Sequence, residues 1–221
     1  MRQAILPLIM TFLFASGCVP SGPPSSKDKP TKKDLSVEKR NQKPLRIVFY
    51  DFDQTLPVMH IFHETKGADD VSEKNAQFFV DAFGGEERIA RLKKHFERLA
   101  QAEVKCSIVS YGYTAVIKES LTRVGLIDFF KEGTVIGRDS EALKRFRGAK
   151  HKVISEEMVS GNIGHEEAIF VDDSKENIEK CVEAGTCQTL HVHERRGLTE
   201  KNLVFLENEL IMQINESHQT N

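Results

Sequence analysis

Four cysteines in a chain of 221 residues are too few for a disulfide scaffold. One of them, Cys18, sits at the end of an N-terminal apolar stretch; of the others, Cys181 and Cys187 could pair in an oxidising compartment, while Cys106 reads as a buried structural thiol. The net charge is only −2, and no basic stripe interleaved with aromatics occurs, so no nucleic-acid partner is expected. Cysteine and histidine nowhere cluster at metal-ligand spacing, which disfavours zinc. No Walker glycine loop precedes a lysine and no GxGxxG follows a strand, so nucleotide-motor and dinucleotide chemistries lack support. Long apolar runs are also missing. The run Ala4 to Ala15 is about a dozen residues, short of the roughly 20 that a transmembrane helix needs.

That run nevertheless has the organisation of an address. Met1 and Arg2 precede it, and Ser16-Gly17-Cys18 follow, as in a secretory signal peptide over 1–18. Small residues leading into Cys18 resemble a bacterial lipobox, with Ala15 where such boxes usually carry Leu. Simple cleavage and lipid attachment at Cys18, which would tether the protein to a membrane, are both open readings. The expectation is an exported protein, secreted or membrane-anchored, with organelle targeting as the other reading of the leader. Residues 19–44 are rich in Pro, Ser and Lys and almost devoid of large apolar side chains. Such a segment cannot bury enough surface to offset its ordering entropy, so it is expected to be a flexible linker. Residues 45–221 are then one domain with enough chain for a core.

Within that domain, strand-like and helix-like stretches alternate. Ile47-Val-Phe-Tyr50 is a continuous apolar run with β-branched and aromatic character, as expected of a strand buried on both faces. Pro57 to Asp70 has no clean period; either of its histidines, His60 or His63, could touch a substrate, although lone histidines more often serve packing or face solvent. Ser72 is expected to cap a helix carrying Ala76, Phe79, Val80 and Phe83, and Glu86 to Ala102 to form a longer one with Ile89, Leu92, Phe96 and Leu99 on one face. Strands are then predicted over Val104–Val109, near Thr134–Ile136, over Glu167–Val171 and over Cys187–Val192. The intervening helices are predicted over Tyr113–Val124, Ala149–Met158 and Ser174–Ala184, with a closing helix from Thr199 to about Asn215. The alternation implies an α/β fold: a Rossmann-like parallel sheet with helices on both faces.

The chemistry-bearing residues fall where such a sheet collects them, at the carboxyl ends of strands. The first strand ends in Asp51 and Asp53, with Thr55 two residues on; the second runs into Ser110-Tyr111-Gly112; the fourth ends in Asp172 and Asp173; and Lys150 opens a helix. Carboxylates gathered this way are costly to desolvate unless a cation or a reaction requires them. Oxygen-only ligands suit a hard cation such as Mg²⁺.

The ordered set D-F-D-Q-T-L (51–56), I-V-S-Y-G (108–112), Lys150 and F-V-D-D-S-x-x-N (170–177) resembles the haloacid dehalogenase superfamily, in its phosphatase branch. The resemblance implies an enzyme: a Mg²⁺-dependent phosphomonoester hydrolase. In it Asp51 is the nucleophile and Asp53 the general acid and base. Asp51, the Asp53 carbonyl, Asp172 and Asp173 are implied to hold the metal. Ser110, Tyr111 and Gly112 are implied to bind the substrate phosphate, with Thr55 in that set as support for the loop, and Lys150 to carry the catalytic amine. Lys152 competes with Lys150 for this last part, and the position of Val153-Ile154 favours Lys150. Asn177 either anchors the metal site or faces solvent. The second acid, Asp53, is absent from members that dehalogenate or cleave phosphonates, so its presence favours phosphoester hydrolysis. The spacing from Asp51 to Ser110 leaves room only for a small cap, about residues 57–83, and hence an open site that admits phosphorylated small molecules or macromolecules. Two other readings remain: a catalytically weak protein that captures a phosphorylated ligand, and a phosphotransferase of the same fold.

Overall fold

The computed structural model describes residues 44–217; the leader, Cys18 and the linker up to residue 43 lie outside the described residues. Five strands, β1 (Ile47–Tyr50), β2 (Lys105–Val109), β3 (Val135–Ile136), β4 (Ala168–Asp172) and β5 (Gln188–His191), form one sheet in the order β3-β2-β1-β4-β5. Every neighbouring pair is parallel, and β1 is flanked in register by β2 (Val48 opposite Cys106) and β4 (Val48 opposite Ile169). Between β1 and β2 come α1 (Ile61–Glu64), α2 (Ala76–Ala82) and α3 (Glu86–Gln101), and α4 (Thr114–Arg123) follows β2. Helices α5 (Glu141–Arg145) and α6 (Lys150–Ser160) lead from β3 to β4, α7 (Lys175–Glu183) joins β4 to β5, and α8 (Glu200–Ser217) ends the described chain. No helix among the described residues is long and apolar enough to cross a membrane.

The apolar run of β1 divides between two cores, because successive side chains point to opposite faces of a strand. Val48 and Tyr50 join Ile108 of β2 and Val171 of β4 against Phe96 of α3, Leu121 of α4 and Leu206 of α8. Ile47 and Phe49 face the other way, with Val109 and Phe170, against Val153 and Ile154 of α6 and Cys181 of α7. Burying each large side chain contributes roughly 1.5–3 kcal/mol, so a strand buried on both sides has no face left for polar residues. Its acids therefore appear only where it ends.

Residues 57–83, expected to form a small cap, contain α1 and α2 and bury Ile61, Val71, Phe79 and Phe83 in the same core as Tyr50. The cap of α2 differs from expectation. Asn75 performs it, its Oδ1 accepting from the Phe78 N–H, while Ser72 instead donates from both N–H and hydroxyl to Asp70. Cys181 and Cys187, whose pairing the sequence left open, are buried free thiols with Sγ atoms 3.7 Å apart.

A buried polar chain fastens α8 and α3 beneath β1. Glu207 lies 3.1 Å from His95 Nδ1, and His95 Nε2 lies 3.1 Å from the Tyr50 hydroxyl. A carboxylate only accepts, so the neutral imidazole donates from Nδ1 to Glu207 and accepts the Tyr50 O–H at Nε2. Arg91 and Arg98 complete the coordination of Glu207, and Arg91 also grips Glu200. Burial holds His95 down to about 4, against the pull of Glu207.

Candidate active site

The chain leaves β1 through a tight turn. Gln54 adopts a left-handed conformation with φ 58°, and the Thr55 and Leu56 N–H groups both donate to the Phe52 carbonyl. This turn brings the carboxylates of Asp51 and Asp53, both buried, to the lining of one concavity of about 550 Å³. The segment after β5 clips the turn from outside: Gly197 N–H donates to the Gln54 carbonyl and Leu198 N–H to that of Thr55. Gly197 is needed there, since its φ is +76° and a Cβ would stand 2.4 Å from the Arg88 guanidinium. Asp53 is held by the Ile61 N–H, which donates to its Oδ1 at 2.6 Å, and its Oδ2 lies 3.3 Å from His60 Nδ1. The Asp53 carboxylate draws His60 up from its ordinary pKa.

Lys150, at the first position of α6 and 2% exposed, reaches across to two strand ends. Its Nζ donates to Asp51 Oδ1 at 2.7 Å and to Asp172 Oδ2 at 2.8 Å. Burial works against the charged ammonium, but the two carboxylates outweigh it and hold the pKa above its ordinary value. Lys152, the competing candidate, is exposed and lines a neighbouring concavity instead. Asp172 is fully engaged, accepting also from the Ser174 N–H at 2.7 Å and from Asn177 Nδ2 at 3.0 Å. Asn177 thus braces the acids and does not face solvent. Asp173 points into the concavity, with Arg195 Nε 3.5 Å from its Oδ2.

Carboxylate oxygens of Asp51, Asp172 and Asp173 lie within 4.8 Å of one another. Burial, and then the charge of Asp51, push Asp173 up to about 6; burial pushes Asp172 to about 6 against the pull of Lys150. Like charges so close favour either a proton or a cation between them. An all-oxygen donor set of this kind fits a hard divalent ion.

Ser110 and Tyr111 also line the concavity. Ser110 Oγ accepts from the Gly112 N–H at 3.3 Å, and the Tyr111 hydroxyl donates to the Gly148 carbonyl at 2.8 Å. Gly112 and Thr55 do not line the concavity: Gly112 is buried and lines a separate small cavity beside Asp53 and Phe62, and Thr55 is fully buried. Thr55 is too deep to touch a ligand in the concavity.

The wall also carries His60 and His63, the two histidines weighed from the sequence, and four cations that the sequence did not single out. Arg138, Lys144 and Arg147 come from the stretch between β3 and α6, and Arg195 from the turn after β5. Arg138 sits over the rings of Phe62 and Tyr113, at 4.9 and 5.2 Å from their centroids. His60 and His63 stack with ring centroids 3.6 Å apart on the same wall. One exposed charged residue among many leaves no periodic trace, so only the fold could gather the four cations.

A family model described as haloacid dehalogenase-like hydrolase matches residues 86–191. No curated protein matches the chain. Among solved structures, a HAD phosphatase from Thermococcus onnurineus is similar at 18% identity and TM-score 0.46, covering 75% of this chain and 98% of its own. The HAD domain of effector protein Lem4 from Legionella pneumophila, an inactive mutant, is similar at 14% identity and TM-score 0.49, covering 79% and 99%. A haloacid dehalogenase-like hydrolase from Streptococcus pneumoniae is similar at 16% identity and TM-score 0.41, covering 73% and 90%. The matched residues 86–191 begin after the strand that leads into Asp51 and Asp53, so the family match and the first motif are separate observations, and over that segment the chain is similar to haloacid dehalogenase-like hydrolases.

Proposed function

We propose that the protein hydrolyses phosphomonoesters through an aspartyl-phosphate formed on Asp51. The observation that carries this reading is the convergence of Asp51, Asp53, Lys150 and Asp173 on one concavity. A carboxylate oxygen of Asp51 attacks phosphorus as the bond from phosphorus to the ester oxygen breaks, and Asp53 gives its proton to the departing alcohol. Asp53 then takes a proton from water, whose oxygen attacks phosphorus, releases phosphate and restores Asp51. Lys150 orients the nucleophile through its bond to Asp51, and adds positive charge beside the transferring group. Ser110 offers its hydroxyl to a phosphoryl oxygen.

Asp51 and Asp173, with the Asp53 carbonyl and Asp172 beside them, would hold Mg²⁺. When bound, the ion supplies charge that lets an anionic nucleophile approach an anionic phosphate. In the same reading the leader carries this chemistry out of the cytoplasm.

Hydrolysis of p-nitrophenyl phosphate by the full-length protein, with and without Mg²⁺, tests the proposal. Turnover should require the metal and vanish in Asp51→Asn. Equal turnover in the two proteins would refute the assigned nucleophile.

A further inference from the structure

Beside the candidate active site lies a second concavity of about 540 Å³, sharing Tyr111, Gly148, Lys150 and Asn177 as its near wall. Its far wall is strongly basic. Arg147 lines both concavities, and His151, Lys152 and Lys180 line the second, where the one acid is Glu183. The commitments of these cations differ. Lys150 is held by Asp51 and Asp172, and Lys180 by Glu176 at 2.6 Å. Arg147 and Lys152 have no carboxylate partner among the described residues, although both are exposed. The neighbouring imidazole responds to the same charge, for burial and then Lys152 and Lys180 lower the pKa of His151. The wall between the two concavities is the ring of Tyr111, 48% exposed and fixed by its hydroxyl bond to Gly148.

A positive recess with uncommitted cations, opening beside a phosphate site, suits a second anion on the same ligand. We propose that this recess is a second phosphate subsite, so that the favoured substrates are small phosphomonoesters whose alcohol carries another phosphate group. One phosphate would lie at Asp51, and the other would pass Tyr111 to reach Arg147 and Lys152. The substrate class rests on the phosphatase reading above; the binding preference does not.

Binding is therefore read in the Asp51→Asn protein, full-length and in Mg²⁺, by titration calorimetry with two matched pairs. These are fructose 1,6-bisphosphate against fructose 6-phosphate, and adenosine 3′,5′-bisphosphate against adenosine 5′-monophosphate. Charge-assisted contacts to a phosphate should make the bisphosphate of at least one pair bind about tenfold or more tightly than its monophosphate. That advantage should collapse in the Arg147→Gln/Lys152→Gln double variant and persist in Lys118→Gln, which removes an exposed charge from α4 outside both concavities. Thermal melts establish that each variant is folded. Equal affinities in both pairs, no binding of any of the four, or an advantage unchanged in the double variant would overturn the subsite. Wild-type protein that discriminates in binding but turns over no ester would refute the phosphatase reading and leave the subsite standing.

Discussion

Lowering the pH from 7.5 to 5 should draw a loss of folding stability from one fully buried imidazole, that of His95. In the folded protein its pKa is held down to about 4, from an ordinary value of 6.5, because it is enclosed between Tyr50, Glu207 and the apolar core. As the pH falls below 6.5 the unfolded chain binds this proton and the folded one does not, so folding loses stability until the native pKa is reached. The full gap is worth roughly 3 kcal/mol, of which about 2 kcal/mol has been lost by pH 5. No discount for solvent is needed, since the side chain is completely buried. Asp172 and Asp173 have the opposite sign: their folded pKa values, both about 6, lie above the ordinary one, so protonation favours the native state as the pH falls toward 4. A single pH–stability curve would therefore blur the imidazole. Comparison with His95→Gln separates the two, because glutamine can bridge Tyr50 and Glu207 without titrating. Urea unfolding of both proteins at pH 7.5 and 5 should show wild type losing about 2 kcal/mol more than the variant over that interval. Equal losses would refute the argument.

Three further outcomes follow from the site. Lys150→Gln leaves Asp51 and Asp172 facing each other without a cation, and should cost roughly 3 kcal/mol in denaturant unfolding at pH 7.5, with partial recovery near pH 5.5 as Asp172 takes up a proton; Lys152→Gln should cost less than about 0.5 kcal/mol. Asp53→Asn should slow hydrolysis of alkyl phosphates by about 10²–10⁴-fold and that of p-nitrophenyl phosphate much less, because a good leaving group needs little protonation; equal losses on both would remove Asp53 from the role of acid. Mg²⁺ at a hundredfold excess over its Kd should raise the Tm by roughly 5–10 °C at pH 7.5. The rise should be smaller at pH 5, where protons compete for carboxyl groups with pKa near 6, and smaller again in Asp173→Asn.

The strands were legible because two-faced burial demands an unbroken apolar run, and Ile47 to Tyr50 and Ala168 to Val171 are such runs. The acids that end them were legible for the same reason, since no other charged residue falls within those runs. Short helices were not. Four residues of α1 and five of α5 are too few to display a 3.6-residue period. The cap of α2 was misread because Ser72 and Asn75 are both good capping residues, and sequence cannot say which one turns back on Asp70. Lys150 could be favoured over Lys152 by position, but only the fold shows that a lysine at the start of α6 faces the ends of β1 and β4. Thr55 looked like part of the site because it is close in sequence to Asp51; the turn at Gln54 sends it inward.

The central place of β1 has a consequence for how such a protein can change over generations. The proposed nucleophile, Asp51, directly follows a strand with a partner on either side and a core above and below, where substitutions are among the most costly to folding. The cations at the rim are exposed side chains, where substitutions are usually worth less than about 0.5 kcal/mol to folding. Drift can therefore explore new ligands at Arg138, Arg147 and Lys152 while selection for a folded chain guards the acids at the end of β1. A lineage built on this architecture would be free to diversify in what it binds long before it could alter what it does.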